Sequence, residues 1–98
     1  MPEHEIILKP SAIKDLDRIR KYDAAMIADG IEMFLAARPT RESRSRIKRL
    51  RGLRNPDYRL RLGDYRVFYN VHEAEGLVYV LRILHKNETH RYYEEAER

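Results

Sequence analysis

The stretch Tyr58-Arg59-Leu60-Arg61-Leu62-Gly63-Asp64-Tyr65-Arg66-Val67-Phe68-Tyr69 limits what this chain can fold into more than any other. Apolar and basic residues alternate on either side of Gly63-Asp64, the period of a half-buried strand. Gly at the first central position of a two-residue loop suits a type II′ turn, whose twist matches that of the flanking strands. A Gly63-Asp64 loop fixes the pairing. Leu62 faces Tyr65, Leu60 faces Val67 and Tyr58 faces Tyr69, so one face is wholly apolar or aromatic. The other face sets Arg61 directly against Arg66, and Arg59 against Phe68. Like charges opposed across a sheet cost up to about 1 kcal/mol, and nothing in a hairpin requires them. An anion seated there would relieve the repulsion. The plainer alternative is that the arginine stems cover apolar surface and their heads splay into water.

The net charge of +4 is too small to decide between these. Its distribution is more informative. Residues 38–66 hold 11 Lys and Arg against three acids, a balance of +8, and the rest of the chain sums to −4. Ten of those 11 are Arg, the side chain suited to bidentate phosphate recognition and to stacking on bases. A basic segment this one-sided favours a polyanionic partner over a merely solvated face.

Around the hairpin the remaining elements fall into place. Ile6-Ile7-Leu8 reads as a short first strand. Pro10-Ser11 ends it, with Ser11 as a candidate N-cap, and Ala12, Leu16 and Ile19 recur at helical spacing. Asp23 can cap a second helix, whose stripe Ile27, Ile31, Phe34 and Leu35 is core-facing; Gly30 is a flaw in it, and Arg38-Pro39 ends it. Ile47 to Leu50 reads as an edge strand. Leu77 to Leu84 is a further strand, and a five-residue loop from His72 to Gly76 would set Val71 against Leu77 and Arg82 against Arg66. Glu88 to Arg98 is a polar, helical tail. The 98 residues support one domain, 1–98. The expected class is α+β: two N-terminal helices on one face of a twisted antiparallel sheet of four to five strands, an Arg-studded face toward solvent, and a short C-terminal helix.

Several functions drop out. The chain has no cysteine, which removes disulfides, thiolate zinc sites and a Cys nucleophile. No segment approaches the ~20 apolar residues of a membrane span. The acidic Met1 to Glu5 segment is unlike a secretory leader, so the expected compartment is the cytoplasm, with no membrane partner. His85 and His90 are five apart with no acid at ligand spacing, so no metal or other cofactor is expected.

His85 and Lys86 end the last strand beside the basic side, followed by Tyr92 and Tyr93. His85 is a candidate proton shuttle, Lys86 a charge stabiliser or proton donor, and Tyr92 a stacking or positioning group. Each has a plain reading as well: a strand end, a solvated lysine, a helix anchor. Arg, Lys, His and Tyr together suffice for cleavage of RNA by its own 2′-OH, which needs alignment, charge stabilisation and two proton transfers.

"IKRLRGLRNPDYRLRLGDYRVFYNV" and "LVYVLRILHKNETHRYY", with the "ILKPSAIKDLDRI" opening, resemble the RelE/ParE superfamily of small toxins from type II toxin–antitoxin modules over nearly the whole chain. The RelE branch implies a ribosome-dependent endoribonuclease that cuts messenger RNA in the A site and leaves a 2′,3′-cyclic phosphate. Carried over, Arg61, Arg66, Lys86, His85 and Tyr92 form the catalytic set. Arg59, Lys48, Arg49, Arg51, Arg54 and Arg82 bind messenger or ribosomal RNA. The sequence departs from the best-known RelE enzymes, which have Lys at the first pair and Arg where Lys86 stands. Arg61 cannot serve as a base, because its pKa exceeds about 12. The resemblance also implies an acidic antitoxin, and operator DNA contacted only through that antitoxin. The ParE branch implies a DNA gyrase inhibitor instead, and a third alternative is a non-catalytic module acting in operon autoregulation. The basic quartet and C-terminal Tyr favour the RNase.

Overall fold

The computed structural model describes residues 3–53 and 55–96. The hairpin forms as its alternation dictates. Strands β3 (Tyr58–Leu62) and β4 (Tyr65–His72) pair antiparallel, with Leu62 opposite Tyr65, Leu60 opposite Val67, Tyr58 opposite Tyr69 and Arg61 opposite Arg66. Gly63 has φ +58° and Asp64 keeps a negative φ, which fits a type II′ turn and rules out type I′. Strand β2 (Ile47–Arg49) lies on the outer edge of β3. Its own free edge is occupied: Ile47 O accepts from Ser43 N, and Arg49 N donates to Glu42 Oε1. Both bonds use groups that an open edge would offer to another chain.

Strand β5 (Leu77–His85) pairs with β4, and here the expected register is corrected. The connection is one residue tighter, with a 3₁₀ turn at Glu73–Glu75 closed by Gly76 at φ +66°, so His72 faces Leu77. A bulge between Phe68 and Tyr69 then leaves Leu81 without a partner. The two offsets add, so Arg82 stays on the face of Arg66 but sits opposite Phe68, while Arg66 faces Leu84.

A second correction concerns the sheet itself. Strand β1 (Glu5–Leu8) pairs with β5 in parallel, giving a mixed five-stranded sheet in the order β1-β5-β4-β3-β2. β1 covers β5 only as far as Val80, where Lys9 N donates to Val80 O. Helix α1 (Pro10–Arg18) then fills the edge that is left. Pro10 opens it at N1, where a missing N–H costs nothing; Lys9 is the N-cap and Ser11 lies inside the helix. Helix α2 (Lys21–Leu35) places Asp23 in its first turn, with Arg20 as N-cap.

Ala12, Ile27, Ile31 and Leu35 close one face of the sheet over Ile47, Tyr58, Leu60, Leu62, Val67, Tyr69, Val78, Val80 and Ile83, all buried. The Tyr69 hydroxyl, deep in this core, donates to Pro39 O at 2.6 Å. On the opposite face, helix α3 (Thr89–Ala96) sets Tyr92 and Tyr93 on the fully buried Phe68, with ring centroids 4.6 and 5.6 Å away. The Arg-bearing face is therefore partly roofed rather than open to solvent. No helix among the described residues is long and apolar enough to cross a membrane.

Candidate nucleic-acid interface

The strand register determines which basic side chains share a face. Lys48, Arg59, Phe68 and Arg82 form one row across β2, β3, β4 and β5, and Arg61, Arg66 and Leu84 form the next. Arg59, Arg61 and Arg66 form no ion pair with a carboxylate among the described residues. The Arg66 guanidinium folds back to donate to Gly63 O and Tyr65 O, both at 2.9 Å. Burial lowers the pKa of Arg66, and repulsion from Arg59 and Arg61 lowers it further. Nε of Arg59 is buried without a hydrogen-bond partner. This is a concentrated, uncompensated positive field, the arrangement that draws a phosphate backbone.

Tyr92 and Tyr93, one residue apart on α3, do different things. Tyr92 lies over Phe68 and beside Arg82, whose guanidinium carbon is 5.9 Å from its ring centre. Burial pushes its hydroxyl pKa up to about 12. Tyr93 meets Phe68 edge-on and reaches toward the arginines. Burial raises its pKa as well, and the charges of Arg59 and Arg66 pull it partly back. From the sequence, Tyr93 counts only as a helix anchor beside Tyr92, not as a site residue. One step along a helix turns a side chain by about 100°, and only knowledge of which tyrosine seats on Phe68 tells the two apart.

Three residues sit elsewhere than the sequence suggested. His85 faces Tyr65, with rings edge-on at 5.5 Å, on the side of the sheet that carries Ile83 and the helices. Its Nδ1 accepts from Asn87 N, and its backbone N–H donates to Glu88 Oε1, a reciprocal cap on the following turn. The sheet thus separates it from Arg66. Arg82 is engaged by a carboxylate: Nε and NH2 donate to the two oxygens of Asp15 at 2.8 and 3.1 Å. That hydrogen bonding raises its pKa. Arg49 pairs with Tyr58 and donates to its hydroxyl at 3.2 Å, which takes it off the Arg59 face.

Lys86 ion-pairs with Asp64 at 3.4 Å at the hairpin tip, and its N–H donates to Asp64 O. Lys48 and Arg51 border a cavity of about 520 Å³ that also touches Glu42, Leu53, Arg59 and Tyr93. Arg54 lies outside the described residues. No cluster of three metal-ligating side chains occurs among the described residues.

Comparison with known proteins places this geometry in a lineage. Residues 6–90 match the family model described as the ParE toxin of the type II toxin–antitoxin system parDE. No curated protein matches the sequence. Among solved structures, the toxin–antitoxin complex RelBE2 of Mycobacterium tuberculosis is 25% identical, with a TM-score of 0.67 over 87% of this chain and 93% of that one. The RelE–RelB complex of Pyrococcus horikoshii OT3 is 23% identical, with a TM-score of 0.70 over 87% and 97%. A double-arginine mutant of the free E. coli toxin RelE is 22% identical, with a TM-score of 0.68 over 98% and 95%.

Proposed function

This chain belongs to the ParE toxin family of type II toxin–antitoxin systems, and from that premise we propose that it is an endoribonuclease toxin that cuts messenger RNA on the ribosome. The observation that carries this reading is the opposed pair Arg61 and Arg66, with Arg59 beside them and no carboxylate partner among the described residues. The pair costs stability in the free protein and gains only when an anion arrives.

Arg61 and Arg66 hold the scissile phosphate, and Arg59 holds the backbone next to it. The 2′-oxygen attacks the adjacent phosphorus, the bond to the 5′-oxygen breaks, and a 2′,3′-cyclic phosphate and a 5′-hydroxyl form. The guanidinium groups stabilise the charge that grows on the phosphorane oxygens. They cannot take the 2′-OH proton, which passes to water. Lys86 gives a proton to the departing 5′-oxygen, steadied at the hairpin tip by Asp64. The chain's own contribution is thus alignment and charge. Tyr92 acts by seating α3 on Phe68 rather than by touching the reacting atoms. Lys48, Arg51 and the rest of the Arg38–Arg54 segment bind ribosomal RNA.

The M. tuberculosis and P. horikoshii neighbours are complexes of toxin and antitoxin. An acidic antitoxin that neutralises the +8 segment is the corresponding partner here. A second reading, inhibition of DNA gyrase, is favoured by the matching family model, which is that of ParE. The placement of His85 behind the sheet, away from Arg66, points the same way. Brief expression followed by mapping of RNA 5′ ends separates the two. Codon-periodic cuts within translated regions, absent in Arg66→Ala, support the nuclease. Intact messages with gyrase-linked DNA breaks replace it with the gyrase reading.

A further inference from the structure

We propose that Arg46 is a positioning residue for Arg61: it grips the Arg61 backbone from the β2 side, so that the Arg61 guanidinium stays opposed to Arg66 and ready for an anion. The inference rests on the RNA reading above, in which Arg61 holds a phosphate, and adds the group that keeps it in place.

The β2–β3 ladder pairs Ile47 with Leu60, so Arg46 stands one step before β2, opposite Arg61. At a hydrogen-bonded position of an antiparallel pair, the two residues exchange two N–H···O bonds. The first is made here, from Arg61 N to Arg46 O at 2.9 Å. The second is missing, because Arg46 N donates to Ser43 Oγ at 3.0 Å instead. The Arg46 side chain supplies it: NH1 donates to Arg61 O at 3.1 Å. One residue thus satisfies both main-chain groups of Arg61, and its guanidinium stands in for the lost backbone donor.

Because those groups turn toward β2, Arg61 meets Arg66 at a non-hydrogen-bonded position of the β3–β4 ladder, where side chains lie closer. Repulsion from Arg66 pushes on a residue whose own main-chain bonds run to Arg46. Strand alternation would send the Arg46 side chain to the face of Arg61, as one more phosphate ligand. Its guanidinium carbon lies instead 5.1 Å from the centre of the Phe34 ring on α2, and Phe34 packs against the core. Arg46 is therefore set apart within the basic segment, as a clamp on β3 rather than a contact to RNA.

The test is a double-mutant cycle on RNA binding. Uncleavable 2′-O-methyl RNA dodecamers are titrated with the full chain across a salt series. Arg46→Met keeps an apolar stem over Phe34 and removes the donor. Affinity is expected to fall about fivefold, the size of one hydrogen bond. In an Arg61→Gln background the same change costs less than about twofold, because no guanidinium is left to position. In an Arg59→Ala background the full loss returns. Phe34→Leu takes away the ring under the Arg46 guanidinium and follows the same pattern, so it carries the test if Arg46→Met does not fold. Equal losses with and without Arg61, and a salt slope lowered by about 0.7, would make Arg46 a phosphate contact of its own and overturn the inference. Wild-type affinity in both Arg46→Met and Phe34→Leu would overturn it too. Arg61→Gln with wild-type affinity and salt slope overturns the role of Arg61 itself, and a wild type that binds no RNA overturns the RNA reading; the clamp falls with either.

Discussion

Asp15 and Arg82 are joined by a two-pronged ion pair, at 2.8 and 3.1 Å, although 67 residues separate them. Asp15 is 7% exposed and accepts a third bond, from Ile83 N at 2.8 Å. The helix thereby does for β5 what a neighbouring strand would have done, because β1 stops at Val80. Removing Asp15 leaves the Arg82 guanidinium, 32% exposed, without its partner and orphans the buried Ile83 N–H. Asp15→Ala should cost about 3 kcal/mol in urea unfolding. A loss below about 0.5 kcal/mol, the range of an exposed pair, would show that α1 is held by apolar contacts alone.

Gly30 marks where α2 comes closest to the sheet. A Cβ there would lie 2.7 and 2.8 Å from the two methyl carbons of Leu62, itself buried. In an exposed helix interior, Gly→Ala gains roughly 1 kcal/mol; here the overpacking term of about 1–3 kcal/mol opposes it. Gly30→Ala is therefore expected to destabilise the protein, and to cost less in a Leu62→Ala background, where the methyl carbons it would meet are gone. Chemical denaturation of the two singles and the double measures that coupling. A stabilising Gly30→Ala single variant would contradict the close approach.

The positions that sequence patterning reads well are those governed by local periodicity. The Arg61–Arg66 register follows from alternation about Gly63-Asp64, and the Ile27, Ile31, Leu35 stripe from helical spacing. What it misread depends on distant partners. The bulge at Phe68/Tyr69 shifts Arg82 by a residue that no hairpin rule anticipates. The parallel β1 reflects where α1 must land beside β5. His85 changed sides because strand parity, with Ile83 in the core, carries it there. Gly30, a flaw in propensity, is a contact in the fold. The difference between Tyr92 and Tyr93 needed the phase of α3 on Phe68.

Alkaline pH should unfold the protein through its tyrosines. Burial raises the pKa of Tyr92 to about 12, and burial also raises those of Tyr69, Tyr93 and Tyr65. A raised folded-state pKa means that the unfolded chain gives up these protons first, from about pH 10. Stability from Tyr92 is thus complete below pH 10 and is lost as pH rises toward 12. Thermal melts from pH 8 to 12 should fall steeply above pH 10, and less steeply in Tyr92→Phe. An equally steep fall in that variant would show that Tyr92 ionises as freely when folded as when unfolded.

Arg61→Gln separates stability from function at the hairpin. It removes a like-charge contact with Arg66 across the ladder, so the free protein should gain a few tenths of a kcal/mol. The side chain is exposed, and its carbonyl bond from Arg46 NH1 uses the backbone, which the substitution keeps. RNA binding should move the other way. Each lost phosphate contact lowers the slope of log affinity against log salt by about 0.7 for single strands. The variant should therefore melt slightly higher, bind more weakly at low salt and lose less affinity as salt rises. A gain in stability with an unchanged salt slope would mean that Arg61 repels Arg66 without touching the anion. The phosphate site would then narrow to Arg59 and Arg66.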